Sequence, residues 1–105
     1  MYKVHTLAGV CLLLSLFLAL PASAAPNYPF VGKWNCEVAT FSFTNKTYNN
    51  GSESLRISRV KKNGGNFELF FAKGYRIGLS SVTATSMSWS SGETGDMFEC
   101  KRVGK

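Results

Sequence analysis

The side chains most often used for chemistry are scarce in this chain. Its 105 residues include one histidine, His5, and three cysteines, Cys11, Cys36 and Cys100. His5 and Cys11 fall in the first two dozen residues, which read as a leader. The domain that follows then has no imidazole and two thiols, which are expected to be oxidised. This removes the usual general base, the usual zinc ligand and a thiol nucleophile. Ser90-Ser91-Gly92 is a turn sequence with no base partner in view, so it does not read as a nucleophile. Glu93, Asp96 and Glu99 lack the dense spacing of a calcium loop and read as a solvated hairpin. Gly64-Gly65 belongs to a hairpin, and no glycine-rich phosphate loop is present. The expectation is a non-enzyme without metal or cofactor.

Binding is the better lead. The chain carries 12 Lys and Arg against 6 Asp and Glu, a net charge of +6. Arg56, Arg59, Lys61, Lys62, Lys73 and Arg76 fall together and are the candidate anion-binding residues. A surface this positive favours an anionic partner: lipid headgroups, polysaccharide, nucleic acid or an acidic protein. The same cations also keep an exported domain soluble. Alternation points Arg59 inward, either to hold an anion at a barrel mouth or to snorkel to solvent. Tyr48 and Phe70 are expected outside the core. Two aromatics do not make a stacking platform for single-stranded nucleic acid.

Residues 1–24 have the parts of a cleavable secretory signal. Lys3 gives a basic start, Leu7 to Leu20 is an apolar run, and Ala22-Ser23-Ala24 is an A-x-A cleavage pattern. The run is shorter than the roughly 20 residues of a spanning helix. Cys11 lies inside it rather than after it, which argues against lipid anchoring. Cleavage leaves 81 residues, with 11 basic (12 less Lys3) against 6 acidic, a net +5. Export to the periplasm or the medium would oxidise Cys36 and Cys100 to a disulfide. Such a link adds roughly 4 kcal/mol in the chain-entropy model to a core that is otherwise marginal.

The elements that position these residues repeat with period two. Residues 25–31 form an extended lead-in containing Pro26 and Pro29. Residues 32–105 form one β-barrel-like domain. Trp34, Cys36 and Val38 alternate with polar residues. The phase then shifts to Ala39, Phe41 and Phe43, so Gly32–Thr44 reads as one strand bent near Val38. Residues 45–52 read as a polar loop with two sequons, Asn45-Lys46-Thr47 and Asn50-Gly51-Ser52. Ser54 to Lys61 is the next strand, with Leu55, Ile57 and Arg59 on one face. A three-residue loop, Asn63-Gly64-Gly65, then sets Ile57 opposite Phe71. Ala72-Lys73-Gly74 sets Leu69 opposite Ile77. Thr85, Met87 and Trp89 follow a turn of unassigned shape in which Val82 is out of phase. Gly92-Glu93-Thr94-Gly95 sets Trp89 opposite Phe98 and Met87 opposite Cys100. No helix of useful length is expected.

The fold class is therefore all-β: an antiparallel meander of about six strands with one disulfide, closed into a barrel or rolled as an open sheet into a half-barrel. With six strands the first and last run antiparallel. Pairing Cys36 with Cys100 then pairs Trp34 with Arg102 and Val38 with Phe98. Closure also removes exposed sheet edges.

Gly32-Lys33-Trp34 resembles the G-x-W signature that opens lipocalins and other calycins. In that superfamily an arginine near the end of the barrel packs over the tryptophan, and Arg102 is placed to do the same. The resemblance implies a structural role for Gly32, Trp34 and Arg102 and carries no ligand with it. As a whole the chain resembles the small secreted proteins of bacteria. The functional expectation is an exported, monomeric binding or interaction module favouring anionic partners. The alternative is a secreted or periplasmic enzyme inhibitor, for which +5 suits an acidic target better than a basic one.

Overall fold

A computed structural model describes residues 26–105, so the expected signal segment 1–24, with His5 and Cys11, lies outside the described residues. Apart from one 3-10 turn at Ala72–Gly74, the regular structure is strand. The strands are β1 Gly32–Asn35, β2 Thr40–Phe43, β3 Thr47–Asn49, β4 Ser54–Arg56, β5 Arg59–Asn63, β6 Asn66–Phe70, β7 Arg76–Ser80, β8 Ser86–Ser91 and β9 Met97–Gly104. They form one antiparallel sheet in the order β4-β3-β2-β1-β9-β8-β7-β6-β5, rolled into a half-barrel. Among the described residues no helix is long and apolar enough to cross a membrane.

The nine strands correct the six expected. Gly32–Thr44 is not one bent strand but a hairpin, with Trp34 opposite Phe41. Its phase shift is the turn itself. Val38 donates its N–H to the Cys36 carbonyl (2.6 Å) and Glu37 adopts φ 69°, a γ-turn of the rare positive-φ kind. Val38 therefore projects from the tip, 63% exposed, and does not pair with Phe98 inside. The expected polar loop 45–52 holds β3. Tyr48, placed outside by the sequence reading, is 1% exposed and stacked on Phe43. Thr44 Oγ1 accepts from the N–H of Lys46 and of Thr47, which tightens the turn enough to reverse the chain and drive Tyr48 inward.

The predicted strand from Ser54 to Lys61 is broken at Ile57–Ser58. The upper piece, β4, pairs with β3, and the lower, β5, pairs with β6. Ile57 donates to the Lys46 carbonyl on one side (2.8 Å) and Ser58 to the Phe70 carbonyl on the other (2.8 Å). Both edges of the sheet are thus supplied by one continuous stretch of chain. Eight antiparallel steps separate β4 from β5 in the strand order, so the two run the same way, as a continuous segment must. This is why β1 and β9 run antiparallel although the strand count is odd.

The β5–β6 hairpin also differs from expectation. Its loop is Gly64-Gly65 alone, with Asn63 paired to Asn66, so the register is one residue off the expected pairing of Ile57 with Phe71. Gly64 takes φ 62°, which a two-residue hairpin favours and other residues resist. The shift puts Arg59 opposite Phe70. Arg59 then faces solvent, its guanidinium 4.2 Å from the centre of the Phe70 ring, rather than pointing into the barrel. The other predicted registers stand: Leu69 with Ile77, Trp89 with Phe98 and Met87 with Cys100.

The core is aromatic-rich: Phe30, Trp34, Phe41, Phe43, Tyr48, Phe67, Phe71 and Trp89 are buried with Leu69, Ile77, Leu79 and Met87. Each large apolar side chain contributes about 1.5–3 kcal/mol on burial. Phe30 belongs to the lead-in yet is fully buried, stacked with Tyr28 and edge-on to Phe43 and Phe67. The lead-in is thus a plug across one end of the half-barrel.

Candidate functional site

The Cys36–Cys100 disulfide, beside the β1–β2 turn, and the Trp34–Arg102 pair, nearer the plug, fix β1 against β9. Cys36 turns its N–H toward the Ala39 carbonyl of the β1–β2 hairpin. Against β9 it therefore sits in the closer, non-hydrogen-bonded kind of antiparallel pair, with a Cα–Cα distance of 4.1 Å to Cys100. Trp34, two residues back, has the same phase, and the Arg102 guanidinium lies 4.3 Å from its ring centre. All three kinds of guanidinium nitrogen are used. Nε donates to the Ala84 carbonyl, Nη1 to Val31 and Nη2 to Pro29, each at 2.7 Å. The Trp34 indole N–H donates to the Phe30 carbonyl at 2.9 Å. Gly32 takes φ 136°, and a Cβ there would collide with the Arg102 guanidinium. Gly32, Trp34 and Arg102 thus clamp the plug, with the indole N–H and one N–H on each guanidinium nitrogen spent on backbone carbonyls.

The opposite end is formed by the turns after β1, β3, β6 and β8. Here a cavity of about 640 Å³ opens between β4 and the β6–β7 turn. Leu55, Phe71 and Tyr75 supply its apolar wall, and Arg56, Lys73, Glu53 and Glu93 its charged rim. Burial and the nearby Glu93 carboxylate raise the Tyr75 phenol above its ordinary pKa. Burial, reinforced by Tyr75, pushes Tyr48 far higher, so it stays neutral. The Trp89 indole N–H beside Tyr48 opposes that rise weakly, but it does not reach hydrogen-bond geometry and is buried without a partner.

The candidate anion-binding residues are all exposed. Arg56 and Lys73 meet at the cavity. Arg59, Lys61 and Lys62 lie along β5, and Arg76 on β7 is 3.7 Å from Glu68. Among the described residues that is the one ion pair, so the other five cations face no carboxylate at salt-bridge distance.

The remaining candidates are turn chemistry. Ser91 Oγ accepts from the N–H of Glu93 and of Thr94, each at 3.1 Å. Asp96 accepts from Thr94 and Glu99 from Ser88, which keeps these carboxylates apart. Among the described residues no three His, Cys, Asp or Glu side chains converge on a point. Sequon residue Asn45 holds the plug, accepting from the Tyr28 N–H (2.9 Å) and donating to the Pro26 carbonyl. Sequon residue Asn50 caps its own turn through the N–H groups of Ser52 and Glu53.

Sequence reasoning missed the cavity residues Leu55, Phe71 and Tyr75 as a group, because β4 supplies the first and the two flanks of the β6–β7 turn, distant in sequence, supply the others. It also missed Glu37, whose carboxylate accepts from the Glu99 N–H at 2.7 Å across 62 residues. The chain matches no protein-family model, no curated protein and no solved structure.

Proposed function

We propose that this protein is an exported binding module whose basic wall takes an anionic partner. The observation that carries the reading is the set of exposed cations, Arg56, Arg59, Lys61, Lys62 and Lys73, left without carboxylate partners. Exposed cations free of internal pairing raise the local concentration of anions and speed their capture. The disulfide fits an oxidising compartment. Retention on heparin and binding to anionic vesicles at low salt test the reading. Replacing Lys61, Lys62 and Lys73 with glutamine should weaken both, and added salt should weaken the parent protein's binding. No binding by the parent protein at low salt would overturn it.

One observation favours the inhibitor reading. Val38 stands exposed on the positive-φ turn at Glu37, next to a disulfide, and stored backbone strain of this kind clusters at functional sites. A contact made by Val38 would persist in salt that abolishes heparin binding.

A further inference from the structure

We propose that the free edge of β4 is a docking edge for an extended peptide that carries a carboxylate beside an apolar side chain. The proposal rests on the reading of the protein as a binding module, but not on a polyanion as its partner.

The hydrogen-bond phase of β4 identifies the free groups. Asn50 donates to the Glu53 carbonyl (3.1 Å) and Ile57 to the Lys46 carbonyl (2.8 Å). Leu55, paired with Tyr48, lies midway between these pairs and shares their phase. Its backbone therefore faces β3. Ser54 and Arg56 alternate with it and turn their N–H and C=O groups the other way. β4 ends the sheet, so those four groups meet no strand.

What lies beyond that edge is the cavity. Glu53, Leu55 and Arg56 line one side of it and Phe71, Ala72, Lys73 and Tyr75 the other. An added strand would bond to Ser54 and Arg56 and set alternate side chains against Leu55, Phe71 and Tyr75. Arg56 and Lys73 have no carboxylate at salt-bridge distance among the described residues and are available to an acidic neighbour on the peptide. Glu53 and Glu93 share the rim, which disfavours a uniformly anionic polymer at this place. One carboxylate next to an apolar residue meets both conditions. The free edge of β5 differs, since Arg59, Lys61 and Lys62 crowd it with charge, the usual guard against strand addition.

The test is an amide-resolved NMR titration with the acetylated, amidated pentapeptide Thr-Val-Phe-Asp-Thr. Binding should shift the Ser54 and Arg56 amides and slow their exchange with water. Two N-methylated peptides of opposite phase should split: one loses affinity by about tenfold or more, because its edge bonds are gone, and the other binds as before. Arg56→Gln should weaken the parent peptide, while Lys61→Gln with Lys62→Gln should not. Equal binding by both methylated peptides, shifts that spare Ser54 and Arg56, or no binding would each overturn the proposal. Peptide failure with heparin binding intact removes the docking edge alone; failure of both removes the binding module as well.

Discussion

Replacing Arg102 with methionine keeps the length and apolar stem of the side chain and deletes its charge and donors. The loss has two parts. The guanidinium over Trp34 is a cation–π contact worth about 0.5–2 kcal/mol, depending on burial. A bond from a charged donor contributes about 1.5–3 kcal/mol when shielded. Of the three made by Arg102, the bond to Val31 is partly buried, while those to Ala84 and Pro29 are exposed and water replaces them readily. Counting the buried bond and the ring contact gives about 3 kcal/mol. An 80-residue domain holds only about 4–12 kcal/mol in total. At about 4–8 °C per kcal/mol, the melting temperature should fall by about 12–24 °C. Thermal melts of the oxidised protein measure the fall. Trp34 emission, read in a Trp89→Phe background, should shift because the plug loosens. Arg102→Lys should recover part of the loss, since an ammonium reaches one carbonyl but not three. A fall of less than about 1 kcal/mol in Arg102→Met would refute the clamp and reduce the Trp34–Arg102 pairing to proximity.

The double variant Cys36→Ala, Cys100→Ala should lose about 4 kcal/mol of stability in urea titrations, given the separation of 64 residues that the link spans; an unchanged midpoint would count against a stabilising link. Alkaline pH should weaken the fold. An unfolded tyrosine releases its proton near pH 10, whereas Tyr48 and Tyr75 are raised above that in the folded state. The folded protein then holds more protons above that pH, and stability falls as pH rises. Tyr48→Phe should flatten the fall between about pH 9 and 11; parallel pH profiles for the two proteins would contradict the burial of the phenol.

The period-two alternation in β6, β7, β8 and β9 was legible because each strand meets one core face and glycines mark the β6–β7 and β8–β9 turns; the β7–β8 turn has no glycine, and its shape was not legible. The β1–β9 register was legible too, since one covalent link sets the phase of every pair beside it. Three features were hidden. The γ-turn at Glu37 has no glycine to mark it, and an apolar phase shift reads equally as a bend. Tyr48 sits among polar residues, so a three-residue strand with one inward side chain has no period to detect. Arg59 was misplaced by one residue of hairpin register, which reverses the face of every side chain on a strand. The exposed basic residues were legible in the sequence, though the structure divides them among the cavity rim, β5 and β7, and the cavity itself was not legible. Its walls come from turns scattered between Asn50 and Glu93, and nothing local in the sequence announces their meeting.

The first and last of the described strands, β1 and β9, are neighbours in the middle of the sheet. β1 to β4 is one local meander and β5 to β9 another, and the pairing of β1 with β9 joins them along the strand order. Among the described residues that seam carries the greatest sequence separation of any strand pairing. Its closure is the step most burdened by loop entropy and should set the folding rate. A peptide bond cut between Ile57 and Ser58 would leave two fragments, each with complete hairpins, still stitched by the Cys36–Cys100 bond. The molecule is in this sense a two-piece device with a tether at its rim, and that tether is a natural site for splitting and reassembling it.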